Sequence, residues 1–409
     1  MRKGLKSLNI IFTAYILCLA CSSGVLADSK KPTKPDKFPP NPLEITTPDP
    51  LLQRSPKDKT PLTPEESQKL QLALDELNQQ AATQLQSGDK TGAFDTWNRE
   101  LRLRRFLGPL AEVQAMSRVG EIAWRENERL QVQYITQRLE KIQKSAQSQK
   151  IPELSLLQAL GQAYQKVRSQ KLALQVYDRI LGIARSSRDT AGELDALNAI
   201  AKLNLDWFDY PKAAAAYEQL LSLATSSSDS VNQVNYLQQL AYIYSQSKQH
   251  QQSVNVRSKL AEFYLKDNNF IQLATLKVEI GSDYEALGKE NPSLLQEAFK
   301  SYREAYQMAW ELQQYVTSSE ALRRIVALYR NQGQIQEALQ TSEILLKTEE
   351  LAANSYGLMN TYDLIGQIYL DRKDNQQALT AFQKGLELAN QLNHNQEYFN
   401  QQIAKASKS

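Results

Sequence analysis

Along most of this chain apolar residues return every three or four positions, the period of a helix with one buried face. The clearest copy is Leu160-Gly161-Gln162-Ala163-Tyr164, followed by a polar break near Arg168 to Gln170 and then by Ala173, Tyr177 and Ile180. The first run sets Leu160 and Tyr164 four apart around a glycine, and the second sets an alanine four residues before an aromatic. A short break between two such runs predicts an antiparallel helix pair. A small residue facing a large one is what close helix packing requires, because Gly or Ala lets the backbones approach.

The pattern recurs. Small residues of successive first helices fall at Ala81, Gly120, Gly161, Ala201, Ala241, Gly281, Val326 and Gly366, at intervals of 39, 41, 40, 40, 40, 45 and 40 residues. Second helices are marked by Ala93, Val132, Ala173, Ala213, Ser253, Ala298, Ala338 and Ala378. Four residues later stand Trp97, Thr136, Tyr177, Tyr217, Arg257, Tyr302, Ser342 and Phe382. Most of these are aromatic, and they are expected to fill the joint where one pair docks on the next. Tyr164, Tyr244, Tyr284, Tyr329 and Tyr369 recur within the first helices and read as core. The chain is therefore expected to be all-α, with about eight helix pairs from residue 65 to 395.

Breakers agree with this division. Ten of the fourteen prolines lie between Pro32 and Pro64, and the rest of the chain is nearly free of them. Thr63 reads as the N-cap of the first helix with Pro64 at its first position, and Asp189 and Asp229 end polar turns as caps for the next helices. Lys289 to Ser293 adds about five residues within one unit and predicts a protruding loop. The end of the chain, 396–409, reads as a polar capping helix and tail with a thin apolar stripe at Phe399 and Ile403, the kind of end an array needs to remain soluble.

With Leu160-Gly161-x-x-Tyr164 and Ile365-Gly366-x-x-Tyr369 as the best matches, residues 65–395 resemble the tetratricopeptide repeat (TPR) family. The resemblance implies a right-handed α-solenoid of antiparallel helix pairs. The typical unit of that family is about 34 residues, so a period near 40 implies longer helices.

The N-terminus reads as an export signal. Arg2, Lys3 and Lys6 precede an apolar run from Leu8 to Ala20, and Val25-Leu26-Ala27 suits cleavage before Asp28. The competing reading is a lipoprotein signal that lipidates Cys21 and associates the protein with a membrane. Residues 28–64, rich in Pro, Lys, Thr and Asp, read as a disordered linker without core contacts. Both cysteines, Cys18 and Cys21, lie in the signal, which leaves no thiol chemistry after simple cleavage. The formal charge of +3 is matched by the three cations of the signal, so the remainder is neutral. A neutral chain gives no basic face for nucleic acid. The local run Arg99, Arg102, Arg104 and Arg105 reads as a solvated helix face, ahead of a phosphate or acidic-peptide site.

Catalytic signals are missing. His250 and His394 have no ligand-spaced partner, and there is no phosphate loop or nucleophile motif. The carboxylates Asp363, Asp371 and Asp374, and Asp206 with Asp209, read as turn residues and caps. A hard-cation site, which would make the chain a metal-delivery protein, is the alternative. The resemblance supplies the partner surface instead: groove positions of the first helices map to Trp124, Arg125, Gln158, Gln162, Lys166, Asn198, Lys202, Asn235, Gln238, Tyr242, Arg323, Arg330, Asn331, Asn360 and Gln367. Most are amides, able both to donate to and to accept from a peptide backbone. The resemblance thus implies a non-enzymatic scaffold for a protein or peptide partner, without a cofactor. Exported arrays of this composition are similar to cyanobacterial proteins that help assemble photosystem II from the periplasmic or lumenal side. A regulatory TPR module of a signalling system is a further alternative.

Overall fold

The structure is a computed structural model and describes residues 41–44, 48–52, 60–147 and 153–408. The expected signal at 1–27, including Cys18, Cys21 and the cleavage point, lies outside the described residues, as does most of 28–64. The chain divides into two compact units, Met1–Gly108 and Pro109–Ser409.

Among the described residues the secondary structure is helical, without a strand. The first unit holds α1 (Pro64–Gln86) and α2 (Lys90–Arg104). The second is built of pairs: α3 (Pro109–Arg125) with α4 (Arg129–Gln147), α5 (Leu154–Lys166) with α6 (Gln170–Ser187), α7 (Thr190–Asp206) with α8 (Tyr210–Ser226), and α9 (Ser230–Gln246) with α10 (His250–Lys266). It continues with α11 (Phe270–Leu287) and α12 (Leu295–Glu311), α13 (Tyr315–Asn331) and α14 (Ile335–Leu351), α15 (Ser355–Asp371) and α16 (Asn375–Leu392), and ends with α17 (Gln396–Lys408). In the first unit α1 packs on α2, and within the second each helix packs on its sequence neighbours, as in an α-solenoid.

Local chemistry sets the helix limits. At the start of α1, Thr63 Oγ1 accepts from the Glu66 N–H at 3.2 Å while Glu66 Oε2 accepts from the Thr63 N–H at 2.8 Å, a reciprocal capping box. From α7 to α10 the helices are 17 residues long and separated by three-residue turns, so the first helices α7, α9 and α11 begin at Thr190, Ser230 and Phe270. The middle turn residue is left-handed in each case: Phe208 at φ 58°, Ser228 at 56°, Lys248 at 55° and Asn268 at 53°. That residue ends one helix, and its successor opens the next. Asp209, Asp229 and Asn269 then accept from the N–H three residues on. Between α11 and α12 the added residues 289–293 are exposed and include a short 3₁₀ turn at Pro292–Leu294, the protruding loop expected.

The small residues do the work assigned to them, with one correction. Gly161 lies against Tyr177, and a Cβ there would stand 2.8 Å from the ring; at Gly281 it would stand 2.5 Å from Tyr302. Gly366 faces Phe382 in the same way. In these three pairs the aromatic of the second helix thus packs on the glycine of the first. For these three aromatics the contact lies within the pair and not only at the joint expected, whereas Tyr217 of α8 meets Tyr236 of the next pair with ring centroids 6.2 Å apart. Tyr302 and Phe382 are fully buried in these slots.

Where α10 carries Arg257 at the aromatic position, the packing is ionic. Arg257, 7 % exposed, pairs with Asp283, 4 % exposed, donates to Ser253 Oγ at 2.9 Å, and lies 3.1 Å from a Glu279 carboxylate oxygen. His250 Nδ1 lies 2.9 Å from the second oxygen of Asp283. His250 is thus tied to a buried carboxylate of α11, which corrects the expectation of a surface histidine without a partner.

The contact-free linker is also corrected for its described part. Leu43 is fully buried and Leu52 is 6 % exposed, the latter in a cluster with Leu70, Leu74, Leu77 and Leu103. Arg99 grips Asp49 through two bonds of 2.7 and 2.8 Å, and Arg102 and Arg105 donate to the carbonyls of Pro42 and Leu43 at 2.9 and 2.5 Å. Arg104 points elsewhere, to Asp75 at 2.6 Å and the buried Glu100 at 3.0 Å. The arginine run is therefore no solvated face. Two leucines and four polar contacts suffice to order a segment whose composition alone argues for disorder.

Candidate functional site

Within the second unit the first-helix positions form a polar strip, and successive first helices are linked across it. Lys166 of α5 reaches Glu121 of α3 at 2.7 Å, and Arg330 of α13 reaches Asp371 of α15 at 2.7 Å. Gln367 of α15 bonds Gln402 of α17 at 3.2 Å and Tyr398 at 3.4 Å, while the Tyr398 hydroxyl donates to Asp363 at 2.9 Å. Helical spacing explains the alignment: Asn235, Gln238 and Tyr242 of α9 are three and four residues apart and share one face.

The expected site residues divide. Trp124, Arg125, Gln158, Gln162, Lys166, Asn198, Lys202, Asn235, Gln238, Tyr242, Asn331 and Asn360 are all exposed, with Trp124 at 51 % and Tyr242 at 48 %. Asn198 turns its amide back to the Leu194 carbonyl at 2.9 Å. Arg323, Arg330 and Gln367 are half-buried and engaged within the fold. Arg323 braces the fully buried Glu349 at 2.7 Å, which makes it a packing residue before a recognition residue.

Between α9 and α11 the strip opens into a cleft of about 430 Å³. Gln238, Tyr242, Ser245 and Gln246 of α9 form one wall, Gln272, Thr275 and Glu279 of α11 the other, and Arg257 and Tyr264 of α10 the floor. Gln238 donates its amide to the Tyr264 hydroxyl at 2.8 Å, which fixes the amide and leaves its carbonyl facing outward as an acceptor. Tyr264, Gln272, Thr275 and Glu279 were not among the expected residues. Tyr264 belongs to a second helix, and reading only first-helix positions passes over a residue that reaches the strip from beneath.

Four of the five carboxylates considered for a cation have other partners. Asp371 pairs with Arg330, Asp374 caps α16 by accepting from the Gln377 N–H, and Asp209 caps α8 and pairs with Lys212 at 2.7 Å. Burial pushes Asp363 above the ordinary carboxylate value of 3.8, against the bonds from Tyr398 and Gln367. The Lys212 bond holds Asp209 below it. Among the described residues no three His, Cys, Asp or Glu side chains come together as a metal site.

Residues 360–392 match the family model described as tetratricopeptide repeat. No curated protein matches the chain. Among solved structures it is similar to aspartyl phosphate phosphatase F from Bacillus subtilis, at 15% identity over 68% of this chain and 76% of that one, with a TM-score of 0.41. It is also similar to a putative kinesin light chain with nearly identical TPR-like repeats from Podosopora anserina, at 15% identity over 48% and 96%, TM-score 0.38. A signal transduction ATPase with a tetratricopeptide repeat sensor from Pyrococcus horikoshii matches at 11% identity over 85% and 52%, TM-score 0.39. The matched segment runs from Asn360 in α15 through Leu392 at the end of α16, and its Gly366–Phe382 contact is the one made by Gly161 with Tyr177 and by Gly281 with Tyr302. Residues 360–392 are thus similar to a tetratricopeptide repeat, and the α15–α16 pair they form repeats the glycine-on-aromatic contact of the α5–α6 and α11–α12 pairs.

Proposed function

We propose that the chain is a non-enzymatic scaffold that binds a protein partner along the first-helix strip, with the α9–α11 cleft as its centre. The observation that carries this reading is the cleft itself. It combines the half-exposed aromatic face of Tyr242 with Gln238, Gln246 and Gln272, a set that can satisfy both donors and acceptors of a peptide backbone. Its floor is held by the Arg257–Asp283 pair and by the Gln238–Tyr264 bond, so little side-chain entropy is lost on binding. We further propose that the scaffold works outside the cytoplasm, in a periplasm or thylakoid lumen, and assists assembly of a membrane protein complex such as photosystem II. The basic and apolar composition of residues 1–27 supports the export in that reading.

The test places a photo-crosslinking amino acid at Tyr242, and in a second protein at Lys259 on the exposed face of α10. Adducts with one partner from Tyr242 and not from Lys259 are the expected result. Adducts from Lys259 alone would overturn the assignment of the strip. Secretion is tested separately, by the N-terminal sequence of the protein recovered from the envelope fraction: a chain that begins at Met1 would contradict cleavage before Asp28.

A further inference from the structure

The arginines of α2 and of the 3₁₀ turn that follows it at Arg105–Leu107 do something that the first-helix strip does not explain. Arg99, Arg102 and Arg105 are three residues apart, which sets them in one stripe, and each is bonded to a segment about 50 to 60 residues earlier in the chain. What they bond to is generic. Arg102 and Arg105 hold main-chain carbonyls, those of Pro42 and Leu43, and Arg99 holds one carboxylate, Asp49, in a two-bond fork. Any extended peptide offers the carbonyls, and any acidic one offers the carboxylate.

The held segment is itself a repeated motif. Asn41-Pro42-Leu43-Glu44 and Asp49-Pro50-Leu51-Leu52 both begin with an Asx-Pro-Leu sequence. In both, the Asx side chain accepts from the N–H two residues on, at 2.9 Å for Asn41 and 3.0 Å for Asp49, and the Asx carbonyl accepts from the N–H three residues on, at 3.0 and 2.9 Å. Each turn delivers one leucine to the helices: Leu43, fully buried, and Leu52, 6 % exposed. Proline at the second position fixes the turn before it docks, which lowers the entropy lost on binding. Short pre-formed turns, apolar anchors, a charged fork and main-chain contacts are the ingredients of peptide recognition.

We propose that the arginine stripe at the end of α2 is a binding site for acidic Asx-Pro-Leu peptides and that the chain fills it with its own residues 41–44 and 48–52. A partner protein carrying the same kind of segment would have to displace the internal one, whose tethering gives it a high effective concentration. The site is distinct from the first-helix strip, so either can fail without the other.

The experiment uses the full chain and a fluorescent synthetic peptide with the sequence of residues 41–52, read by anisotropy. The native protein, with its site filled, is compared with Leu43→Ala/Asp49→Ala, and with the same variant also carrying Arg99→Glu. Binding at least tenfold tighter to the emptied variant than to the native chain, lost again with Arg99→Glu and with a peptide in which the Asp49 equivalent is Asn, is the expected pattern. If the double variant loses helical signal, Asp49→Ala alone, which keeps both leucines, replaces it, and a threefold gain over the native chain is expected. Absence of peptide binding to a folded variant, or binding indifferent to Arg99→Glu, overturns the proposal.

Discussion

Gly281 shows what a single position decides in this fold. A Cβ added there meets the ring of Tyr302, which is fully buried and tied by its hydroxyl to Glu285 at 2.8 Å, so the ring has nowhere to go. Gly281→Ala is expected to destabilise the protein by roughly 1–3 kcal/mol through overpacking. Gly182, on the exposed side of α6 with nothing within 4 Å, is the control: Gly182→Ala should stabilise by about 1 kcal/mol through helix propensity. Urea unfolding of the two variants separates steric from conformational cost, and a shift of the same sign in both would contradict the slot. Arg257 is the second decisive residue. Its loss would leave Asp283 buried without its main counter-charge, so Arg257→Ala is expected to cost about 3–5 kcal/mol. A loss below about 1 kcal/mol in the same assay would mean that the charge pair is not desolvated. The glycines and aromatics were legible in the sequence because each is a size signal at fixed spacing. Arg257 and His250 were not, since their partner Asp283 lies a whole helix away and no spacing rule points to it.

At the scale of the element, the left-handed turn residues and the docked N-terminal segment carry the lesson. Phe208 and Lys248 take a backbone conformation that costs an L-residue about 1–2 kcal/mol, and the helices on both sides hold them there. That feature escapes a reading that looks for glycine at helix ends. Residues 41–44 and 48–52 escape for another reason: the disorder signal is an average over composition, whereas their packing comes from Leu43, Leu52 and Asp49. Leu43→Ala is expected to lower the stability of the first unit by roughly 2–5 kcal/mol, since a fully buried side chain is cut back. Deleting residues 28–64 is accordingly expected to destabilise that unit. The bond from Arg99 holds Asp49 below the ordinary 3.8. A carboxylate lowered in the folded state stabilises it above the ordinary value, and the stabilisation is lost as pH falls through and below that value. Arg99 is 36 % exposed, which keeps the effect under about 1 kcal/mol. The difference in stability between the native protein and Asp49→Asn should therefore be present at pH 6 and shrink progressively as pH falls below 3.8.

For the molecule as a whole, the helix pairs and their order could be read from the sequence almost completely, because the small-then-large signal recurs at a near-constant interval even though some pairs replace the aromatic. The recognition surface could be read only in outline. Gln238 and Tyr242 stand where the repeat pattern puts them, yet the cleft beside them also depends on Tyr264, from a second helix, and on Gln272 and Glu279 of α11, positions that the pattern did not single out. Exposed polar positions look alike in sequence whether they line a cleft or face solvent. Folding separates them, since only some are fixed by a neighbour such as the Tyr264 hydroxyl.

The constant 17-residue helices and three-residue turns between α7 and α10 also make the chain divisible. Removing Thr190 to Asp229 takes out α7, α8 and the turns belonging to them, and joins Asp189 directly to Ser230. Asp189 caps α7 as Asp229 caps α9, and the residues before them, Arg188 and Ser228, both sit at φ 56°. The junction would thus inherit a competent helix start, and α6 would meet α9 in place of α7. The seam is not identical, because Tyr236 comes to the place of Ala196, so the shortened protein should remain helical and cooperative while melting lower. Circular dichroism of that deletion would test it. A helical, cooperatively melting product would mean that the length of this array can change by whole units without disturbing the ends, a route by which such chains grow and shrink through duplication and loss.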